Sequence, residues 1–315
     1  MNKLPKIIFL MGPTAAGKTG LAMDLVEKLP CDIISVDSAL VYKSMDIGTA
    51  KPSAAELAKA PHRLIDFLDP ASAYSAATFR QDALREIEDI LAQGRIPLLV
   101  GGTMLYYKVL VSGLAKMPEA NEKIRERLGQ QAQQLGWAAL HQELRQIDPV
   151  AAERIHQNDT QRLQRALEVY ELSGTTMTEL LQQQGDVCFP YAVVRIILAP
   201  ENRRDLDERI ALRFKNMLQQ GLIEEVKQLK ARADLTLENA SMRAVGYRQV
   251  WEFLSGQCDE QEMLEKGVHA TIQLAKRQYT WLRKEQAAEW FSPFNLQLEE
   301  VLLYLERYGI KNARN

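Results

Sequence analysis

Gly12, Gly17, Lys18 and Thr19 spell G-x-x-x-x-G-K-T immediately behind the apolar run Ile7, Ile8, Phe9 and Leu10. The segment that follows, 20–26, has the apolar spacing of a helix. A strand, a glycine-rich turn and a helix in that order constrain the fold more than anything else in the chain. The glycines let backbone N–H groups curl around phosphate oxygens, and the helix N-terminus adds positive partial charge. Lys18 reaches terminal phosphates, and the Thr19 hydroxyl is placed to ligand Mg²⁺. The sequence therefore predicts an α/β core that binds a phosphorylated small molecule.

The pattern continues in the same style. Apolar strands at 32–36 and 96–100 alternate with helices at 20–26, 76–92 and 104–111, and the second strand ends at Asp37. Strands that are apolar throughout and spaced by helices belong to a parallel sheet covered on both faces. The expected fold class is thus α/β, a P-loop NTPase-like parallel sheet covered by helices. Strand ends at Gly12, Asp37 and Gly101 should gather on one edge, where open α/β sheets bind ligands. From Pro118 to Gln184 the chain reads as helices only, and strand character returns at 193–198. This predicts three segments: a first part of the core at 1–117, an all-α insertion at 118–190, and a mainly helical return to the core at 191–315. A last short strand is expected at 289–291.

Composition excludes some classes. Of 315 residues, 46% are hydrophobic and 25% charged, which argues against extended disorder. No apolar run approaches the roughly 18 residues a membrane span requires. Met1, Asn2, Lys3, Leu4 and Pro5 lead straight into the first strand, leaving no room for a signal peptide. Cys31, Cys188 and Cys258 are far apart and form no C-x-x-C or Cys/His set, as expected of thiols in a reducing compartment. A cytoplasmic location and a monomer are the simplest expectations. The net charge of −2 does not advertise a nucleic-acid partner, so the local clusters decide.

Asp37 reads two ways on spacing alone: a loop cap or Mg²⁺-orienting carboxylate, or a general base acting on an acceptor. The third strand closes in Gly101, Gly102 and Thr103 with no carboxylate. That weakens an ATP-hydrolysing reading, which usually needs an acid there to hold Mg²⁺. Arg203, Arg204, Arg209 and Arg213 recur along one predicted helix, interleaved with Asp205, Asp207 and Glu208. A solvated salt-bridged surface is the default, and an arginine aimed at the phosphate site the exception. Lys276, Arg277, Gln278, Tyr279, Thr280, Trp281, Leu282, Arg283 and Lys284 form the clearest basic stretch, with two aromatics and no acid. It fits single-stranded RNA binding or a helix with a charged outer face equally well. The stretch Arg243, Ala244, Val245, Gly246, Tyr247 and Arg248 is similar. His62, His141, His156 and His269 show no metal spacing.

Taken together, these motifs resemble the bacterial tRNA dimethylallyltransferase (isopentenyl-tRNA transferase) family. Besides the phosphate loop, the matching residues run from Ser35 through Tyr42, from Met45 through Pro52 and from Val100 through Tyr106. They continue at Val245, Gly246, Tyr247, Arg248 and Gln249, and at Leu274, Ala275, Lys276, Arg277 and Gln278. The order is the family's, from near residue 7 to about residue 284. Where the family commonly has Pro-His-His, this chain has Pro61, His62 and Arg63.

The resemblance implies transfer of a dimethylallyl group from its diphosphate to N6 of the adenosine 3′-adjacent to the anticodon, in tRNAs reading UNN codons. Gly12, Pro13, Thr14, Ala15, Ala16, Gly17, Lys18 and Thr19 would then bind a diphosphate, with Thr19 on Mg²⁺. Asp37, Thr19, Arg213 and Lys18 would be catalytic, Asp37 accepting the N6 proton and Lys18 and Arg213 drawing charge from the departing pyrophosphate. Thr14 and Thr103 would line the channel where the substrates meet. The implied tRNA contacts are Asp37, Ser38, Ala39, Leu40, Thr103, Arg125, Gln161, Arg162, Leu163, Gln164 and Arg165. The two basic stretches, 243–248 and 276–283, complete them. The rivals are an adenylate isopentenyltransferase, a small-molecule kinase on the same core, and a phosphate-dependent RNA-binding module.

Overall fold

A computed structural model describes residues 4–183 and 188–311 of the chain. The start expected at Met1, Asn2 and Lys3, and the end of the helical stretch at Gln184, lie outside the described residues. Two compact units form: Met1–Leu110 with Pro190–Asn315, and Val111–Phe189.

The first unit is built on six strands, all parallel: β1 (Lys6–Met11), β2 (Cys31–Val36), β3 (His62–Arg63), β4 (Ile96–Gly101), β5 (Ala192–Leu198) and β6 (Ala288–Phe291). Their order across the sheet is β3-β2-β4-β1-β5-β6. Five of these follow from the apolar runs. The two-residue β3 does not, because Pro61, His62 and Arg63 carry no apolar run to reveal it. β1 is central, and Ile7 to Met11 are buried on both faces, which is why it reads as an uninterrupted apolar run. In register, Met11 lies beside Gly101 and Gly101 beside Val36. Gly12, Gly102 and Asp37 therefore leave the same edge of three adjacent strands.

Helices complete this unit. α1 (Lys18–Lys28) starts at the phosphate loop and buries Leu21, Ala22 and Leu25 against the sheet. α2 (Ala54–Lys59) is short, and α3 (Ala76–Ala92) is capped by Ser75, whose side chain accepts the Thr78 N–H. It buries Phe79, Ala83, Ile87 and Ile90, the stripe of an amphipathic helix. α4 (Met104–Ser112) follows β4 directly.

The second unit is helical: α5 (Glu122–Leu135), α6 (Trp137–Ile147), α7 (Pro149–Arg154), α8 (Thr160–Ser173) and α9 (Met177–Gln182). It has its own core of Leu128, Leu140, Leu144, Leu163 and Leu167 among others.

After β5, the first unit resumes with α10 (Asp207–Gln219), α11 (Leu222–Lys230), α12 (Tyr247–Leu254), the long α13 (Glu260–Leu282) and, after β6, α14 (Leu298–Arg307). α10 to α13 pack with Val41, Tyr42 and Met45 into a separate apolar cluster beside the sheet core. α13, 23 residues long, begins in a full capping box between Asp259 and Glu262, which satisfies N–H groups at its N-terminus. No helix among the described residues is long and apolar enough to cross a membrane.

Candidate active site

The phosphate loop wraps back on its own lysine. Ala15 and Gly17 adopt positive φ (64° and 89°), turning the chain from β1 into α1. The Lys18 ammonium donates to the carbonyls of Gly12 (2.9 Å) and Pro13 (2.7 Å). Burial lowers its pKa to about 8; the Asp37 carboxylate opposes that shift and the Arg213 charge adds to it. Burial also lowers the Arg213 guanidinium from its ordinary value, again opposed by Asp37. Lys18, Asp37 and Arg213 thus share one electrostatic neighbourhood although they come from α1, the end of β2 and α10. The N–H groups of Ala15, Gly17, Lys18 and Thr19 have no partner among the described residues, so four donors line the turn. Thr19 is exposed in the first turn of α1.

A second wall is built by the ends of β2 and β4. One Asp37 oxygen, Oδ1, accepts the N–H groups of Ala39 (2.8 Å) and Leu40 (3.3 Å), a local turn that fixes the carboxylate. Its other oxygen has no hydrogen bond among the described residues. Thr103 Oγ1 accepts the Ser38 N–H (3.2 Å), while the Thr103 N–H donates to the Val36 carbonyl (3.2 Å). Thr14 meets α13 through its N–H, which donates to Gln278 Oε1 at 2.9 Å.

No cluster of three or more His, Cys, Asp or Glu among the described residues could hold a metal ion. The donor set is instead a single hydroxyl, Thr19, beside an anion cradle. That suits Mg²⁺, which usually keeps waters and takes most of its remaining ligands from substrate phosphates.

A family profile described as IPP transferase matches residues 40–285. The chain belongs to the IPP transferase family. Solved structures agree along the whole length. A full-length tRNA isopentenylpyrophosphate transferase from Bacillus halodurans is 34% identical, with 97% of this chain and 95% of that one covered, at a TM-score of 0.69. A tRNA delta(2)-isopentenylpyrophosphate transferase from Staphylococcus epidermidis is 31% identical over 96% of this chain and 99% of that one, also at 0.69. A eukaryotic dimethylallyltransferase acting on tRNA is 26% identical over 97% of this chain and 78% of that one, at 0.77.

Within this member of the IPP transferase family, the expected tRNA contacts divide by burial. Ser38, Gln161, Arg162, Arg243, Arg248, Lys276, Arg277, Thr280 and Arg283 are exposed. Leu163, Tyr247, Tyr279 and Leu282 are not: their side chains are at most 3% exposed and belong to the core. Gln278 joins them at 9%. In α13 the division follows from helical period: residues 275, 278, 279 and 282 form one inward stripe while 276, 277 and 280 face out, as does 283 just past the helix end. Buried Tyr247 instead donates its hydroxyl to Glu225 Oε1 (2.5 Å), and buried Tyr279 donates to the Pro200 carbonyl (2.9 Å).

In the helical unit, Arg125 and Arg165 meet on Glu168. Arg125 Nε donates to its Oε1 (2.9 Å) and Arg165 Nη1 to its Oε2 (2.7 Å), and the Asn121 N–H adds a third bond (2.7 Å). Burial alone would raise the Glu168 carboxyl, yet these donors hold it below the usual range. The buried carboxylate thereby sets both arginines in place. Gln164 is fixed too, donating to the Arg125 carbonyl at 2.8 Å.

Sequence reasoning marks Arg209 only as one of four helix arginines, four residues from Arg213, and does not mark Glu225 at all. Arg209 brings its guanidinium to 3.7 Å from where a Cβ on Gly17 would stand, so α10 offers two arginines to the loop. Their i, i+4 spacing was the available signal. Glu225 accepts the N–H groups of Asp46 (3.0 Å), Ile47 (2.8 Å) and Gly48 (3.2 Å), pinning the loop that follows Asp37. Nothing local in the sequence marks a carboxylate nearly 180 residues away as that loop's anchor.

Proposed function

We propose that this chain moves a dimethylallyl group from dimethylallyl diphosphate to N6 of the adenosine 3′-adjacent to the anticodon, in tRNAs reading UNN codons. The observation that carries the reading is the convergence of Lys18 of α1, Arg213 of α10 and Asp37 at the end of β2, beside a β4 that ends without an acid. A hydrolase of this architecture would be expected to keep a carboxylate at the end of β4. Here the acid stands one strand away, where it can face an acceptor.

The chemistry follows from that placement. The four unpartnered loop N–H groups would cradle the diphosphate, and Lys18 and Arg213 would stabilise the charge that grows on it. Thr19 would hold Mg²⁺ against the diphosphate, a cation that adds Lewis-acid charge at the leaving group. As the allylic carbon–oxygen bond breaks, carbon gains cationic character and the adenine N6 lone pair forms the new carbon–nitrogen bond. The N6 proton passes to the free oxygen of Asp37, and pyrophosphate leaves. An exocyclic adenine amine is a weak nucleophile, so a positioned base contributes about 10²–10⁴-fold. The target base must leave its stack, at a cost of a few kcal/mol. The exposed cations Lys276 and Arg277 of α13 with Arg283 at its end, Arg243 before α12 and Arg248 within it, and Arg125 and Arg162 of the helical unit, together with half-buried Arg165, supply tRNA contacts on this reading. It also goes with a monomer working in the cytoplasm.

The test is incubation with labelled dimethylallyl diphosphate, Mg²⁺ and unmodified tRNA, with AMP and ATP as parallel acceptors. Label on the anticodon-adjacent adenosine is the expected result. Label on free nucleotide, or ATP consumption without prenyl transfer, would overturn the proposal.

A further inference from the structure

The family resemblance groups Gln278 with RNA contacts, and the structure puts it elsewhere. Its carboxamide is buried and spends both ends on backbone groups. Oε1 accepts the Thr14 N–H of the phosphate loop at 2.9 Å, and Nε2 donates to the Gly102 carbonyl at the end of β4, also at 2.9 Å. These partners lie 264 and 176 residues away in sequence. A side chain at 102 could not share the space, since a Cβ there would fall 2.3 Å from Gln278 Nε2. The helix around it is anchored as well, by Tyr279 on the Pro200 carbonyl and by fully buried Leu282.

We infer that Gln278 is a positioning residue that sets the separation between the diphosphate cradle and Asp37. The connection is continuous. From Thr14 it runs through the Gln278 amide to Gly102, then to Thr103, whose hydroxyl holds the Ser38 N–H next to Asp37. One bond fixes the loop that carries the leaving group, and the other fixes the strand end that carries the acceptor wall. The Thr14 N–H is turned toward α13 and not into the cradle, so the bridge also selects which loop amides face phosphate. A carboxamide accepts from an N–H at one atom and donates to a carbonyl at the other while staying neutral. This inference rests on Asp37 acting as the base in the proposed function.

The experiment compares Gln278→Met, which keeps length and removes both bonds, with Gln278→Glu and with Lys276→Ala. Single-turnover prenylation is measured at saturating dimethylallyl diphosphate and tRNA, alongside tRNA affinity and binding of inorganic pyrophosphate with Mg²⁺. Gln278→Met should slow the single-turnover step by roughly 10²-fold, the scale of a misplaced reacting pair, and weaken pyrophosphate binding. Its tRNA affinity should match the unmodified protein, whereas Lys276→Ala should show the opposite split. Gln278→Glu keeps the acceptor for Thr14 but sets a carboxylate oxygen against the Gly102 carbonyl. Protonation restores the donor, so its rate relative to the unmodified protein should climb as pH falls. Weakened tRNA binding with a normal rate at saturation would make Gln278 an RNA contact and overturn the inference. Equal losses in Gln278→Met and Gln278→Glu with no recovery at low pH would reduce it to a packing residue. If Gln278→Met fails to fold, the pH profile of Gln278→Glu decides. Should the protein prenylate no tRNA at all, pyrophosphate binding still reads the bridge: weakening in Gln278→Met supports its hold on the loop, and unchanged binding refutes it.

Discussion

Lys18 gives the most demanding test of the site's electrostatics. Burial takes its pKa from 10.5 to about 8, so holding the charge on this lysine in the loop costs about 3 kcal/mol relative to water. A bound diphosphate brings two or more negative charges to that ammonium and should restore its pKa toward the ordinary value. Above about pH 8, binding must therefore carry a proton with it. Affinity for dimethylallyl diphosphate should be flat from about pH 7 to about pH 8 and then fall nearly tenfold per pH unit. The diphosphate's own last ionisation lies near 6, so it does not titrate in this window. Calorimetry in buffers of differing ionisation enthalpy measures both the affinity and the proton taken up, and Lys18→Met should abolish the uptake. The sign for stability runs the other way. Between the folded pKa of about 8 and the unfolded 10.5, the unfolded chain holds a proton that the folded one has released, so stability rises with pH. Affinity that stays level to about pH 10, with no proton taken up, would mean that the lysine remains charged in the loop and that burial is not what tunes it.

Asp37→Ala should lower single-turnover prenyl transfer by about 10²–10⁴-fold while tRNA binding persists, and near-normal turnover in a quench assay would remove it as the base. Lys276→Ala combined with Arg277→Ala should weaken tRNA binding and lessen the salt slope by about 2, read by titrations at several salt concentrations; an unchanged slope would return both to ordinary surface. Gly48→Ala should cost about 1–3 kcal/mol in urea unfolding, because a Cβ there would stand 2.4 Å from the Tyr247 ring and 2.9 Å from Leu222. A neutral result would show that the ring yields and that this contact does not secure the loop behind Asp37.

The parts of this protein legible in the sequence are those whose signal is local. β1, the phosphate loop and α1 announce themselves because an apolar run, a fixed glycine spacing and a helical stripe are contiguous. β2 and β4 are likewise mostly apolar, and their register carries Asp37 to the sheet edge from which the phosphate loop leaves. Gln278, Glu225 and Glu168 could not be read this way. Each acts on backbone or charge far along the chain: Gln278 on residues 14 and 102, Glu225 on 46–48, and Glu168 on Arg125 and Asn121. The basic stretch of α13 was half legible. Its composition pointed to RNA, yet only the helical phase tells which of its residues can reach one, and the phase turns Gln278, Tyr279 and Leu282 inward.

On the proposed function, the same phase would let one helix serve two substrates without mixing their chemistry. On its outer face α13 offers Lys276, Arg277 and Arg283, strong charges whose attraction to phosphate reaches across about a Debye length and is weakened by salt. On its inner face it offers a neutral carboxamide that acts only at hydrogen-bond distance. A cation at 278 would have added charge next to a loop already holding Lys18, with Arg209 and Arg213 nearby, and would have lowered the Lys18 pKa further. On the same reading, a carboxylate there would repel a diphosphate held by the loop amides. Neutrality at 278 thus leaves the phosphate loop's charge to residues that face the leaving group, and leaves the attraction of RNA to residues that face solvent.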